Sequence, residues 1–375
     1  MKRFWFIYPV LTALACSDIE QPDLLHVLLF GAGSIQEGIV SSDLGGSGRV
    51  STISREGLPQ TGFTEIHSDA KARYQDGRVY VINRLGRDNI QVLNPGALFA
   101  TEREFSVEAG SNPQDFVRFD AARAYVSRYE RSTLYVVSPL TGRLTGTIDL
   151  GPFAEADGIP EMSAMHLEGS RLFVAVQRLD RNDPTRIFPP TDYSSLLEID
   201  IFAETVVTEH RLPVTNPFSK LRPVNLFGQR HLVVAAPGDI GGTGFDGGVV
   251  AFNLDAGSVR PGVLYSEAAA GGDILDVVIK NDSVGYAVVV FADFSGALQR
   301  FDPSTGALTG QLAFSPASGG FVAGMELSPD GLLYVADASF TQPGITIYDT
   351  NAGDAPLTAA PSSVGLRPTD LVLIP

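Results

Sequence analysis

Acidic and amide side chains recur at one point of a repeating pattern, directly before an apolar run and often one or two residues after proline. The set comprises Asn112, Asp115, Glu161, Asn225 and Asp370, with Asp69 and Asp273 in comparable positions. Rings of carboxylate and amide oxygens coordinate Ca²⁺, and clustered carboxylates attract cationic ligands. We therefore predict that Asp69, Asp115, Glu161, Asn225 and Asp370 are candidate Ca²⁺ ligands. The alternative is that these side chains cap turns by accepting backbone N–H bonds.

Two polar segments that connect predicted strands, which we call links, offer further ligand contacts. Arg128, Tyr129 and Glu130 lie in one link, and Arg178 begins another. Surface ion pairing would explain these side chains equally well. The predicted ligand-binding set is Asn112, Asp115, Arg128, Tyr129, Glu130, Glu161, Arg178, Asn225 and Asp370.

The residues that catalysis usually requires are absent from the sequence pattern. The five histidines have no metal-binding spacing, and there is no nucleophile elbow or phosphate-binding loop. The single cysteine, Cys16, lies near the N-terminus. The sequence therefore favours a binding function over an enzymatic one.

The chain repeats a unit of strand, variable insert, strand and tight turn. Copies are VYVINRLGRDNIQVLNPG (79–96), AYVSRYERSTLYVVSPLTG (124–142), YAVVVFADFSGALQRFDPSTG (286–306) and LYVADASFTQPGITIYDTNAG (333–353). Weaker copies begin at 172 and 232, and another β-run flanks each unit on either side. Four strands per period of roughly 40 to 60 residues is typical of a β-propeller blade, which buries both faces against its neighbours.

These units, especially LSPDGLLYVAD with ITIYDTNAG, resemble the YVTN and NHL repeats of bacterial propellers. The resemblance implies an all-β fold, and we predict seven blades of four antiparallel strands. An aromatic or β-branched anchor marks the second strand of six units: Tyr80, Tyr125, Phe173, Val233, Tyr286 and Tyr334. The seventh blade would use LHVLLF (25–30) or GIVSS (38–42), closed by the C-terminal RPTDLVLI (367–374), because pairing of the chain ends removes an open sheet edge. Weak strand patterns near 221–236 and 273–291 leave the blade count open.

The links on the two faces of such a ring differ in length. With strands a to d numbered from the centre outward, the a–b and c–d links share one face, which we call the turn face, and contain minimal turns such as 94–96 and 304–306. The b–c and d–a links share the other, which we call the looped face; its b–c links are predicted at 180–195, 238–247 and 31–48. Elaborated loops on a rigid scaffold commonly carry binding, so we predict the site on the looped face.

The N-terminus resembles an export signal. Lys2 and Arg3 precede an apolar run that ends in Ala13-Leu14-Ala15 before Cys16, and this resembles the lipobox of bacterial lipoproteins. An ordinary secretory cleavage that leaves a thiol is the alternative. The predicted organisation is a signal peptide at 1–15, a tether at 16–23 after lipidated Cys16, and one propeller domain at 24–375. Ser17 after the cysteine favours the outer membrane within the cell envelope.

Charge narrows the range of partners. The chain has 27 Lys and Arg against 43 Asp and Glu, a net charge of −16, so it would repel a nucleic acid backbone. We predict a monomer that contacts the membrane only through its lipid anchor and binds a protein, peptide or glycan of the envelope. No cofactor is expected unless Ca²⁺ binds at the candidate carboxylates.

One enzymatic alternative stays open. The fold class is similar to that of the calcium-dependent gluconolactonases and paraoxonases, which implies a cation at the channel mouth that polarises a lactone or ester carbonyl. His67 would then be a conceivable base. A quinone-dependent dehydrogenase is a weaker alternative, because Cys16 is terminal and the single tryptophan, Trp5, lies in the signal.

Overall fold

The computed structural model describes residues 36–241, 244–315 and 322–375. Its strands form seven antiparallel sheets, which confirms the predicted seven-bladed propeller. Blade 1 joins both ends of the described chain: β29 (Arg367–Ile374) is innermost, followed by β1 (Gln36–Ser42), β2 (Ser47–Ser54), and the short β3 (Pro59–Gln60) and β4 (Glu65–His67).

The other six blades follow in chain order, each with its innermost strand first. Blade 2 contains β5 (Ala70–Gln75), β6 (Arg78–Asn83), β7 (Asn89–Asn94) and β8 (Ala100–Ser106). Blade 3 contains β9 (Pro113–Arg118), β10 (Ala124–Arg128), β11 (Thr133–Val137) and β12 (Leu144–Asp149). Blade 4 contains β13 (Met162–Glu168), β14 (Arg171–Val176), β15 (Ser195–Asp200) and β16 (Thr205–Arg211).

Blade 5 contains β17 (Arg222–Leu226), β18 (Gln229–Ala236), β19 (Gly248–Asn253) and β20 (Ser258–Val259). Blade 6 contains β21 (Asp273–Asn281), β22 (Val284–Val290), β23 (Gly296–Asp302) and β24 (Ala307–Ser315). Blade 7 contains β25 (Val322–Leu327), β26 (Leu332–Asp337), β27 (Gly344–Asp349) and β28 (Ala355–Pro356). The regions near 221–236 and 273–291, whose pattern is weak, therefore form regular strands.

Helix is limited to single turns in the described residues. These are α1 (Glu267–Ala270) and two 3₁₀ turns, Pro95–Ala97 and Gly151–Phe153. Ser266 caps α1 by accepting the Ala269 N–H, and Gly271 ends it in the left-handed conformation. The whole helix lies in the link before β21, so it shapes the looped face rather than the core.

Burial on both faces explains the apolar composition of the b strands. In β6 and β14 five of six residues are buried, and all six predicted anchors, from Tyr80 to Tyr334, are buried. The outermost strands β8, β12 and β16 are largely exposed and carry Glu, Thr and Arg, which discourages pairing with another sheet edge. The repeated sequence pattern thus reflects the position of each strand along the blade radius.

Hydrophobic clusters hold the blades together in pairs. Seven clusters of buried side chains each lie between two adjacent blades; for example, Tyr125 and Val136 of blade 3 pack with Met165 and Val174 of blade 4. Because every sheet needs both neighbours to bury its faces, the ring is stable only when it is closed.

Closure occurs through the C-terminal strand, as predicted. Strand β29 pairs antiparallel with β1 from Gln36 opposite Ile374 to Ser42 opposite Arg367, with a bulge at Val40 and Ser41. The structure therefore confirms GIVSS as the second strand of this blade. The alternative LHVLLF, the signal segment and Cys16 lie outside the described residues.

The two faces differ as predicted, with one correction. Turn-face links are short, such as 76–77, 169–170 and 303–306; Asp76 (φ 47°) and Gly77 (φ 75°) make the left-handed turn that two-residue hairpins require. On the looped face, b–c links 177–194 and 237–247 are long, and so are d–a links 150–161, 212–221, 260–272 and 357–366. The predicted long link at 31–48 is wrong, because β1 begins at Gln36 and the link is only 43–46.

Candidate functional site

Ion pairs fill the lower part of the central channel. In blades 2 and 3, Arg73 of β5 forms a two-pronged pair with Asp115 of β9, with N···O distances of 2.7 and 2.5 Å. The same Arg73 donates to the Met165 carbonyl of blade 4 at 3.1 Å. Three innermost strands are therefore joined by one guanidinium.

A second network spans the opposite side of the channel. Arg222 pairs with Asp276 at 2.6 Å and with Glu326 at 3.3 Å, and Lys220 bridges Glu326 at 3.0 Å and Asp370 at 2.8 Å. Although burial opposes ionisation, Lys220 holds the pKa of Asp370 below its ordinary value, and Arg222 with Lys220 does the same for Glu326. These acids are charged partners of cations at neutral pH.

Three of the channel acids also make the same backbone contact to the next blade. Asp370 accepts the Ala72 N–H at 2.8 Å, Asp115 accepts the Met165 N–H at 2.7 Å, and Asp276 accepts the Met325 N–H at 3.2 Å. Each acid lies near the start of an innermost strand and each acceptor bond reaches the neighbouring innermost strand. The recurring acid therefore connects adjacent blades, a role that explains Asp115 and Asp370 without a metal.

Above these pairs, a cavity of about 670 Å³ opens toward the looped face. All seven blades contribute to its wall, which is polar on one side and apolar on the other. The polar side comes from blades 2 to 4: Ser68, Asp69, Lys71, Arg84, Asn112, Gln114, Tyr129, Ser163 and Gln177. The apolar side comes mainly from blades 5 to 7: Phe218, Leu275, Val288, Val322 and Ala323. We call this space the mouth cavity.

Lys71 is the cation of the mouth cavity that lacks a direct partner. In the described part of the chain its ammonium makes no hydrogen bond or ion pair, whereas Arg73, two residues on, is fully paired. Burial, with a smaller contribution from the Arg84 charge, lowers the pKa of Lys71 to about 8, against the attraction of Asp370 and Asp115. The amine is therefore still mostly protonated at pH 7, and a negative group bound beside it would raise its pKa again.

Arg84 lies on the same wall and retains one unused donor. Its terminal nitrogens bind Asp69 and, at 2.9 Å, Gln114, while the shielded Nε has no hydrogen-bond partner. Gln114 in turn donates to Asn112 at 3.0 Å, so a hydrogen-bonded row fixes this wall. Lys71, held beside this fixed row, is therefore the donor of the wall that is free to bind an anionic group.

A smaller cavity of about 150 Å³ adjoins the mouth cavity between the links 177–194 and 237–247. We call it the side cavity; it shares Tyr129, Gln177 and Phe218 with the mouth cavity. Polar and apolar groups share its wall about equally, and the apolar residues are Leu179, Ile187, Phe188, Pro190, Phe218 and Ile240. Ile187 is 93% exposed, and Phe188, Phe218 and Ile240 of the same cavity are also exposed, so together they form an apolar patch of the kind that marks a binding surface.

Two amide oxygens at the side cavity lack hydrogen-bond donors. Gln177 is 3% exposed and Asn216 5% exposed, and neither Gln177 Oε1 nor Asn216 Oδ1 has a partner in the described residues. Their NH₂ groups donate to the carbonyls of Pro217 (3.2 Å) and Gly238 (2.8 Å), which fixes which end of each amide is the oxygen. Buried acceptors of this kind normally find a donor.

Arg181 attaches the long link to blades 3 and 4. Its Nε bonds Glu161 at 2.6 Å, and its other nitrogens contact Glu130 and the Tyr129 carbonyl at 3.2 Å. Burial raises the pKa of Glu161 to about 7, while Arg181 and the Leu179 N–H oppose that shift. Three predicted residues, Tyr129, Glu130 and Glu161, thus meet at one clamp beside the side cavity.

The structure brings some predicted residues together and separates others. Asn112, Asp69 and Tyr129 line the mouth cavity, whereas Asp115 and Asp370 lie in the channel network. Arg128 is buried away from the cavity, bound to Glu108 and stacked 3.4 Å from the Tyr135 ring centre. Arg178 binds the Phe153 and Ala154 carbonyls and stacks on Tyr193. Asn225 is exposed on β17 near the turn face.

The predicted Ca²⁺ ligands do not form one site. Asp69, Asp115, Glu161 and Asp370 are each paired with a different cation: Arg84, Arg73, Arg181 and Lys220 respectively. Among the described residues no three His, Cys, Asp or Glu side chains come together as metal ligands. His67 faces Asp69 rather than a carboxylate cluster, with its Nδ1 3.2 Å from the Asp69 N–H. The donor set therefore does not fit Ca²⁺.

The sequence reasoning missed Lys71, Arg84, Gln177, Asn216 and Phe218. For Lys71 a signal existed: Lys71 and Arg73 are spaced i, i+2 in an innermost strand, so both face the channel. Lys220 and Arg222 repeat that spacing across the ring. The unpaired amides carried no signal, because only the fold shows which side of a link faces a cavity.

No helix in the described ranges is long and apolar enough to cross a membrane.

Comparison with known proteins supports the fold alone. No protein-family model matches the chain, and no curated protein matches it significantly. Among solved structures, a proposed 6-phosphogluconolactonase from Bacteroides uniformis is similar with a TM-score of 0.61 at 13% identity, covering 92% of this chain and 100% of that one. A second from Bacteroides fragilis has a TM-score of 0.59 at 15% identity, covering 91% and 98%. Apo AztD from Citrobacter koseri has a TM-score of 0.54 at 11% identity, covering 91% and 98%. At these identities the chain shares their propeller architecture, and the site must be judged on its own residues.

Proposed function

We propose that this chain is a non-enzymatic binding protein whose ligand enters the mouth cavity from the looped face. The main observation in support of this proposal is that all seven blades converge on one cavity with a polar and an apolar wall. Its volume of about 670 Å³ lies within the range of about 300 to 1,000 Å³ that small-ligand sites occupy. The paired charges beneath it give the cavity a rigid floor.

Binding is favoured over metal-assisted hydrolysis by the state of the carboxylates. A Ca²⁺ ion needs six to eight oxygen ligands, and the candidate acids are already neutralised by arginine or lysine. Withdrawing Asp115 or Asp69 would leave Arg73 or Arg84 without its carboxylate, which is costly. The lactonase-like alternative therefore has no geometric support.

The proposed location is the cell envelope, with Cys16 as the lipid anchor and the outer membrane as the destination. The described chain reaches β1 at Gln36 on the turn face, since β1 runs toward the looped-face link 43–46. An anchor upstream would therefore leave the looped face accessible to a protein, peptide or glycan. The excess of acidic residues argues against nucleic acid as the partner.

A blocking substitution tests this function. Ser68 lines the mouth cavity and is partly exposed, so Ser68→Trp should obstruct the cavity without removing a core side chain. Ala203→Trp, in an exposed turn of the turn face, is the matched control. Thermal-shift screening with peptides, oligosaccharides and organic acids should yield ligands that stabilise the parent and A203W but not S68W. Ligands that stabilise all three proteins equally would refute a mouth-cavity site.

A further inference from the structure

Resting on that function, we propose that the mouth and side cavities together bind the carboxy-terminal end of a peptide that finishes in apolar residues. The proposal draws on three features that the two cavities combine: an unpaired lysine, unused amide acceptors and a patch of exposed apolar side chains.

The anionic end is placed by Lys71. Arg73, Arg84, Lys220 and Arg222 each contact a carboxylate, whereas the Lys71 ammonium has no partner in the described chain. A terminal carboxylate can accept from this ammonium. Charge-assisted bonds of this kind are roughly twice as strong as neutral ones, so the carboxylate would anchor the ligand.

The middle of the ligand is specified by Gln177 and Asn216. Because the NH₂ group of each amide is occupied by a backbone carbonyl, each remaining oxygen can only accept. Consecutive peptide N–H groups supply donors near a terminal carboxylate. A fatty acid lacks such donors, and a neutral oligosaccharide lacks the carboxylate, so a peptide satisfies both halves of the polar wall.

The apolar side chains near the carboxy terminus are accommodated by the side cavity. Ile187, Phe188 and Ile240 flank it on two separate links, and Phe218 continues the apolar surface into the mouth cavity. Arg186 and Asp239 join the two links at 3.0 Å, and Arg181 fixes the longer one to Glu161. A leucine or phenylalanine side chain of the peptide would cover the exposed Ile187 and gain hydrophobic burial.

The test uses an acetylated pentapeptide ending in alanine and leucine, and the same peptide with a C-terminal amide. Titration calorimetry at pH 7 with the full mature protein should show the free acid binding about 10- to 100-fold more tightly than the amide. Lys71→Met should remove most of that preference, whereas Lys280→Met, an equal charge change near the turn face, should preserve it. Gln177→Met should weaken the acid and the amide alike.

Two further probes separate the inference from the function on which it rests. Decanoate and a neutral tetrasaccharide should bind at least tenfold more weakly than the acid peptide. Equal affinity for the acid and amide peptides, or a preference that survives in K71M, would overturn the anionic anchor. If decanoate binds as well as the peptide, the ligand is an amphipathic acid and the peptide assignment is wrong. If no peptide binds while S68W still abolishes another ligand's thermal shift, the inference fails and the proposed function stands.

Discussion

Lys71 and Arg73 lie two residues apart on β5 and face the same channel, yet they occupy different chemical situations. Arg73 contacts Asp115 and the Met165 carbonyl, so its charge is balanced by contacts that join three blades. Lys71 lies one step nearer the looped face, where it lines the mouth cavity without a direct partner. The two residues are both basic and lie close together in the strand. Arg73 belongs to the ion-pair network beneath the mouth cavity, which is structural, whereas Lys71 belongs to the proposed binding surface.

The acids of the channel follow the same division. Asp115, Asp276 and Asp370 each hold a cation and a backbone N–H of the next blade, which is a structural task repeated around the ring. Asp69, at the mouth, holds only Arg84 and is more exposed. Acidic residues that look equivalent in the sequence therefore divide according to depth in the channel.

The largest expected effect comes from breaking the ion-pair network beneath the mouth cavity. Asp115→Ala leaves Arg73 without its carboxylate and removes acceptors from the Phe116 and Met165 N–H groups. We expect the free energy of unfolding to fall by about 3 kcal/mol, because an uncompensated charge stays in the channel. Urea denaturation followed by circular dichroism measures the change. Asp255→Ala, which breaks an exposed pair with Arg230 at the turn face, is the control and should lower the free energy of unfolding by less than about 1 kcal/mol. Similar losses of stability in the two variants would contradict a structural role that is special to the channel acids.

A smaller effect is expected at the clamp of the long link. In Arg181→Met, Glu161 loses its cation, so burial alone raises its pKa further. A carboxyl whose pKa is raised on folding makes the fold less stable as pH rises toward that pKa, and in the parent this decline ends near pH 7. In the variant it continues to higher pH, so the loss relative to the parent should grow above pH 7 to about 2 kcal/mol near pH 9. Hydrogen exchange should also quicken in 177–194. Arg87→Met, which removes an exposed arginine paired with Glu104 on blade 2, serves as the control, and a pH-independent loss in Arg181→Met would refute the assignment.

The smallest effect is expected from Lys71 itself. The pKa of Lys71 is about 8 in the folded chain against an ordinary 10.5, so the unfolded chain binds more protons between these values. Stability should therefore rise with pH across that interval in the parent protein and stay flatter in Lys71→Met. At pH 7 the substitution should cost nothing or stabilise slightly. A clear loss at pH 7 would mean that Lys71 is structural, as Arg73 is.

The sequence allows the ring to be predicted well. Anchors such as Tyr125 and Tyr334 recur because every b strand is buried on both faces, and the C-terminal strand must close an open edge. The long link 177–194 is equally visible, since it interrupts an otherwise regular period. These features are local or periodic along the chain, so one sequence is enough to reveal them.

The site could not be predicted to the same extent. The Asp115 pairing with Arg73 spans 42 positions and two blades, and the Asp370 contact with Ala72 spans 298. A pattern of acids after proline therefore predicts their position at the channel but not the cations that neutralise them. Arg128, predicted to lie in a link, is instead the last residue of β10 and is buried. Arg178 does lie in the link 177–194 but binds backbone carbonyls in the protein interior, because a link's side chains can point either way.

The central claim, that an unpaired lysine at the mouth holds the ligand's negative group, is tested most directly by affinity as a function of pH. Lys71 is faced by Arg84, Lys220, Asp115 and Asp370, and Asp69 and Asp276 line the same cavity. The parent protein's affinity for the free-acid peptide should be constant from pH 6 to 7 and should fall as pH rises through about 8, whereas K71M should show weak, level affinity throughout. Undiminished binding at pH 10 by the parent, or the same decline in K71M, would contradict the account.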